Sequence, residues 1–437
     1  MIKIENSKEF QNIIHNIKDR KFNEALEKTK KISKNYSNEN IISKLFASIY
    51  FNLGQWENSI KYFKKTLLFE KEKFKIYTNL GVALFKLGKI NESINAFKDS
   101  IKDNRNFFLA HSNIGISYLE IGQLDKAVNH FVDALNLNYN DQSAKSNLIN
   151  IFNIKKPKNI NHPLIELNDK IVNIKYDNKI DNILTDRKIK TILEKGNEFL
   201  NQFDEKLYSN ETQIFRKNSN NLNCNRHFKV FNEFKIIPKF CFSCFKVQIN
   251  VNNVEDLIKL YFLFDQLKLK KNNTRKCMVE IREKIKGNYK GYIYCNEIKE
   301  AEIIMEDIKN KLLNQKIINF SVAIKHGCSE FYVPHPKFEK VSSNNQEVMN
   351  YKEEWMSKEN LIDSLEPIRL EIDKKIYFQS LNGMNLSDIL VINNWIDYAE
   401  TIGDYSYKKL LNKKIKSNRI NNFIKNQLKF RQKEIIK

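Results

Sequence analysis

Gly54, Gly88 and Gly122 stand 34 residues apart, and Arg20 occupies the same phase one step earlier. Gly81 and Gly115 form a second series at that stride. A period of this length suits one helix–turn–helix unit, which cannot bury its apolar face alone and must stack on copies of itself. The stride therefore predicts an α-solenoid over the first third of the chain. A stack of this kind leaves a concave surface open to another molecule.

The units fall at 6–39, 40–73, 74–107 and 108–141. The third reads Tyr77-Thr78-Asn79-Leu80-Gly81, then Gly88, Ser93, Phe97 and Ser100. The fourth reads His111-Ser112-Asn113-Ile114-Gly115, then Gly122, Ala127, Phe131 and Ala134. Small residues stand where paired helices come close, and Phe63, Phe97 and Phe131 stand where a ring fills the gap between pairs. This pattern resembles the tetratricopeptide repeat family over residues 6–155. The first unit departs from it, with Thr29 at the ring position, and Lys71, Arg105 and Tyr139 replace the usual closing proline. Residues 142–152 read as a capping helix at the end of the stack.

Asn79, Asn113 and Asn147 share one phase on the first helix of successive units. Each carboxamide can both donate and accept, so a row of them suits the backbone of an extended peptide. The resemblance implies that this row faces a peptide groove, and hence a protein or peptide partner.

Residues 156–240 read as a linker, opened by Pro157 and Pro163, followed by a partly helical segment; Tyr208 to Asn223 is polar and reads as a loop. The hydrophobic period then changes. Phe245–Val251 alternates like a strand, Val254–Leu267 reads as a helix, and Cys277–Ile281 and Tyr289–Cys295 read as strands. Glu297–Leu313 reads as a helix and Phe320–Ile324 as a strand. The order over 241–328 is βαββαβ, that of a ferredoxin-like sandwich, which by itself licenses no function. Residues 329–437 read as a helical extension ending in a basic tail.

All six cysteines lie between Cys224 and Cys328. Cys224 and His227 are separated by two residues, and so are Cys241 and Cys244. That spacing lets a tight turn aim two side chains at one tetrahedral ion, so the four residues are a candidate structural zinc site. Buried apolar thiols are the competing reading. Lys290-Gly291-Tyr292-Ile293-Tyr294 resembles part of the Lys-Gly-aromatic signature of RNA-recognition motifs, which implies base stacking on Tyr292 and Tyr294 beside Lys290. His326 and Cys328 are only two apart and read as a strand end and turn rather than a catalytic pair.

The net charge is +22, and residues 408–437 hold eleven Lys and Arg against Glu434 alone. That tail supplies +10 and leaves +12 for the preceding 407 residues, so it is a candidate contact for nucleic acid or an anionic surface. The start lacks a signal-peptide pattern and the most apolar run, near Leu257–Phe264, is too short to span a bilayer, so a cytoplasmic protein is expected. The sequence shows no Walker loop, dinucleotide fingerprint, nucleophile elbow or His-Glu-x-x-His helix. A protein-interaction role is the leading expectation. An RNA-binding module, or an enzyme of unidentified type in residues 160–437, with or without zinc, is the alternative.

Overall fold

The computed structural model describes residues 7–35, 39–174, 185–203, 207–216, 222, 224–282, 285–339, 349–365 and 379–411. They form two compact units that divide at Leu148 and Ile149, inside the capping helix.

The first unit is a succession of helical hairpins. Its helices are α1 (Lys8–Lys18), α2 (Phe22–Asn35), α3 (Glu39–Asn52), α4 (Trp56–Thr66), α5 (Phe74–Lys86), α6 (Ile90–Asp103), α7 (Phe108–Glu120), α8 (Leu124–Leu137) and α9 (Gln142–Ile151). From α1 to α8 each helix packs on its successor, and α5 also touches α7, as stacked pairs require.

The 34-residue series marks the turn inside each pair. Gly54, Gly88 and Gly122 take φ of 70°, 76° and 75°, and Arg20 takes 61°. This left-handed conformation suits glycine and strains a residue with a Cβ. The same backbone bond closes all four turns. Lys21, Gln55, Lys89 and Gln123 donate N–H to the carbonyls of Asn16, Tyr50, Leu84 and Tyr118, at 2.8, 2.9, 2.9 and 2.9 Å. These bonds reach back five residues, as in a Schellman termination.

The second glycine series works through space instead. A Cβ on Gly81 would lie 2.5 Å from the Phe97 ring, and one on Gly115 2.6 Å from Phe131. The small residue on the first helix thus admits the ring from the second. In the first hairpin the sizes reverse: Ile13 holds the glycine phase and Thr29 the ring phase, both fully buried. Thr29 donates its hydroxyl to the Ala25 carbonyl at 2.7 Å, so the polar replacement is satisfied. Where a closing proline is missing, a side chain orders the chain. Asp103 accepts from the N–H groups of Lys73 and Phe74, both at 2.8 Å, at the start of α5.

The second unit contains α10 (Pro163–Val172), α11 (Asp186–Asn201), β1 (Gln213–Arg216), α12 (Cys224–Phe234), β2 (Phe245–Val251), α13 (Val254–Gln266), β3 (Arg275–Val279), β4 (Tyr289–Cys295), α14 (Ile298–Asn314), β5 (Phe320–His326), α15 (Met356–Leu365) and α16 (Leu386–Ile402). The strands form one antiparallel sheet in the order β1-β3-β4-β2-β5. The described parts of 156–240, 241–328 and 329–437 all fall in this unit. The loop expected over Tyr208–Asn223 contains strand β1, which pairs with β3. A strand of four residues has too few alternations to stand out in sequence, and its pairing decides it. Lys239–Ser243 form a short 3₁₀ turn capped by Cys244.

Helix α16 is buried almost all round and packs on α10, α11, α13, β1 and β3. A capping box of Asn385 and Asp388 starts it, and Gly403 at φ 90° ends it. Asp388 also meets the fully buried Arg216 of β1 at 2.5 Å, while Arg216 Nε reaches Asp265 of α13 at 2.8 Å. The Tyr261 hydroxyl accepts from Arg216 at 2.7 Å. One guanidinium therefore ties strand β1 to two helices. Of the basic tail, Lys409 pairs with Glu255 at 3.0 Å and Leu410 and Leu411 are buried; residues 412–437 lie outside the described residues.

Two outcomes are expected from this packing. Urea unfolding should show Arg20→Gly more stable by about 0.5–1 kcal/mol and Gly88→Ala less stable by about 1–2 kcal/mol, as left-handed strain is removed or introduced. Arg216→Met should lose about 3–5 kcal/mol by stranding buried carboxylates, and adding Asp388→Asn should recover part of that loss.

Candidate functional site

The asparagine row lies on α5, α7 and α9. Asn79 is exposed, and Asn113 and Asn147 are half-buried. Asn113 donates to the Leu109 carbonyl at 2.8 Å and Asn147 to that of Ser143 at 2.9 Å, each one turn back on its own helix. These bonds fix the two carboxamides in orientation while leaving the acceptor oxygen and a second N–H of each amide for other partners.

Nearby on α7 and α8, His111, His130 and Asp133 converge. Among the described residues they are the trio of His, Cys, Asp or Glu whose donor atoms all lie within 4.8 Å of one another. His111 Nε2 meets the Arg105 carbonyl at 3.2 Å, which leaves Nδ1 facing His130 Nδ1 at 3.4 Å and Asp133 at 3.5 Å. Burial, then the neighbouring His111, pushes the His130 imidazole down to about 4, against the opposing pull of Asp133.

The second unit has a cavity of about 500 Å³ against its sheet. Strand alternation builds its floor. Gly291 faces α13, since a Cβ there would lie 2.6 Å from Leu260, so Tyr292 and Tyr294 sit on opposite sides of β4 from that helix's contact, sharing one face. The register sets Lys246 opposite Tyr294 and Lys325, and Lys276 opposite Tyr292, so these three lysines share that face. Cys224 at the start of α12, Cys241 and Cys244 from the 3₁₀ turn, and Cys328 after β5 also line the cavity.

Backbone geometry brings the last of these into place. Gly327 takes φ 55° and donates its N–H to the Cys244 carbonyl at 2.7 Å, joining the two cysteine turns. Lys246 Nζ then lies 3.2 Å from Cys328 Sγ. Burial raises the thiol of Cys241, and burial raises that of Cys244 to about 11. Burial and the adjacent Lys246 push Lys276 down to about 8.

Of the zinc set read from sequence, Cys224, His227, Cys241 and Cys244 all line this cavity. No three of them bring their donor atoms within 4.8 Å of one another, and the His227 ring stacks on Phe240 at 5.0 Å. Cys328 joins them, and sequence reading missed it because it is remote in the chain; the only hint was a cysteine directly after a glycine at a strand end. His326 does not act on it: the ring lies between the carbonyls of Phe242 and Phe338, at 2.8 and 3.1 Å.

The residues expected to stack bases lie on β4. Tyr292 and Tyr294 are each 7% exposed and Lys290 is 1% exposed, so β4 presents none of the three to solvent. Lys290 pairs with the buried Glu280 at 3.2 Å, which also holds Arg282 at 2.8 Å. Among the described residues no helix is long and apolar enough to cross a membrane.

A tetratricopeptide repeat family model matches residues 74–106, the α5–α6 hairpin. Among solved structures, MamA is similar over 33% of this chain and 83% of its own, at 19% identity and a TM-score of 0.31. The first TPR of Spaghetti (RPAP3), bound to the HSP90 peptide SRMEEVD, is similar over 26% of this chain and 92% of its own, at 22% identity and a TM-score of 0.25. The TPR2AB domain of yeast Sti1, in a complex with pHSP90, covers 32% of this chain and 63% of its own, at 18% identity and a TM-score of 0.23. No curated protein matches the chain.

His130 gives the repeat unit a pH dependence with a definite sign. Its folded-state value lies below the ordinary 6.5, so the unfolded chain binds more protons between about 6.5 and 4. Its contribution is therefore intact above 6.5 and is lost as pH falls through that window. Urea unfolding at pH 7 and pH 5 should show a loss of about 1–2 kcal/mol that His130→Gln largely removes.

Proposed function

We propose that this chain, which carries a tetratricopeptide repeat segment, uses that segment to hold an extended peptide or a protein segment. The reading rests on one observation: Asn79, Asn113 and Asn147 recur at equal phase on α5, α7 and α9, and none of them is buried. Core positions of the same helices are filled by Leu80, Ile114 and Leu148, all buried, so the asparagines are not needed for packing. Carboxamides at a repeat spacing can pair with successive peptide groups of a partner, and exposed apolar side chains such as Leu109 add contact area.

We read the second unit's strands β2 to β5, with α13 and α14, as a ferredoxin-like sandwich extended by β1. Support comes from the order β3-β4-β2-β5 and from the packing of α13 and α14 on that sheet. No activity follows from that architecture.

The peptide reading is tested on the full chain. Peptides selected from a displayed random library would be measured by fluorescence anisotropy against the protein and its Asn79→Ala/Asn113→Ala/Asn147→Ala variant. Losing about 1 kcal/mol of hydrogen bonding at each of the three positions should weaken binding by about a hundredfold or more with an unchanged melting temperature. Equal affinity in the triple variant would remove the asparagine row as the binding element.

A further inference from the structure

Four of the six cysteines line one cavity, and the remaining two do not. Cys277 and Cys295 are buried in the sheet, at 1% exposure each. Cys224, Cys241, Cys244 and Cys328 come from three separated stretches of chain. A helix start, a 3₁₀ turn and the Gly327 turn converge to bring them together.

Three lysines line the same cavity. Lys246 donates to Cys328, Lys276 to Gln213 Oε1 at 3.1 Å, and Lys325 to the Ser329 hydroxyl at 2.9 Å. Among the described residues none of the three has a carboxylate within 4.0 Å; the nearby Glu280 is held by Lys290 and Arg282. Lys246 is buried and Lys276 and Lys325 are half-buried, and the cavity's carboxylates Glu280 and Glu330 are both held by Arg282, so an anion beside the thiols would offset this excess of positive charge.

Spacing decides what that anion is. A tetrahedral zinc site with Zn–S bonds of about 2.3 Å brings its sulfurs to about 3.8 Å from one another. Here every trio drawn from the four cysteines has at least one pair of sulfurs farther apart than 4.8 Å. An iron–sulfur cluster divides its thiolates among different irons and needs this wider set. Four thiolates outweigh the positive charge of the iron–sulfide core, so the ligated assembly is anionic, which matches the three lysines. A cavity of about 500 Å³ exceeds the room a single ion requires.

We infer that Cys224, Cys241, Cys244 and Cys328 bind an iron–sulfur cluster whose negative charge is met by Lys246, Lys276 and Lys325. Each thiol gives up its proton to solvent on ligation, and each thiolate bonds one iron. His227 lines the cavity as a ring stacked on Phe240 and is not a ligand.

The full chain, purified without oxygen and supplied with ferric iron, sulfide and dithiothreitol, which reduces as much of the iron as the cluster needs, tests this directly. Iron, acid-labile sulfide and zinc would be counted, and visible absorption followed before and after dithionite. Expected are equal iron and sulfide, about two or about four of each per chain, with a broad band that dithionite bleaches. Cys328→Ser should lower bound iron at least about fivefold, and Cys241→Ser likewise, while Cys277→Ala and Cys295→Ala retain it. Far-ultraviolet circular dichroism identifies any variant that fails to fold, and for such a variant the alanine replacement at the same position is used. Stoichiometric zinc without sulfide, absence of iron, or a Cys328→Ser protein that keeps its iron while His227→Asn loses it would each overturn the assignment.

Discussion

The left-handed turn inside each hairpin is the constraint on which the repeat unit depends. It reverses the chain in a single residue and satisfies the carbonyls that a helix end leaves without partners. Because the reversal is the same at Arg20, Gly54, Gly88 and Gly122, paired helices meet at the same phase in each unit. That common phase places Gly81 beneath Phe97 and Gly115 beneath Phe131. It also gives Asn79, Asn113 and Asn147 their equivalent positions. A left-handed arginine in the first hairpin shows that the geometry is imposed by the fold and not merely permitted by glycine.

The second unit is organised by a different period. Strand alternation gives the sheet an apolar face, against α13 and α14, and a face rich in lysine and tyrosine. In an isolated sheet the second face would be wet. Here its centre is enclosed, with β4 buried along its whole length, while Phe215 of β1 and Ser321 and Ala323 of β5 stay exposed at its edges. Lys246 is buried on this face and Lys276 and Lys325 are half-buried, and that excess of positive charge is what the proposed anionic group would meet. The buried Arg216 solves a similar problem with Asp265 and Asp388, whose charges lie within hydrogen-bonding reach.

Much of the architecture was readable in advance because it rests on local periodicity. The helical hairpins, the capping helix, strands Phe245–Val251 and Tyr289–Cys295, and the start of the helix at Leu386 all carry strong local signals. The misses have a shared cause. Strand β1 is too short to show a period and exists through its pairing with β3. Tyr292 and Tyr294 alternate as surface rings would, yet alternation reports which residues share a face and not whether that face meets water. Cys224, His227, Cys241 and Cys244 pair up as neighbours in sequence, whereas Cys328, 84 residues from Cys244, reaches the same cavity only through the fold.

What the chain's order of residues determined alone is the repeat: a stride, a turn residue and a small–large exchange are local properties that recur, and recurrence is visible without coordinates. The reversal of Ile13 and Thr29 follows the same rule with the sizes exchanged. What only the tertiary structure decided is which side chains share an enclosed space. Convergence of Cys224, Cys241, Cys244 and Cys328 on one cavity depends on long-range strand pairing and on which face of the sheet is covered, and neither leaves a period in the sequence.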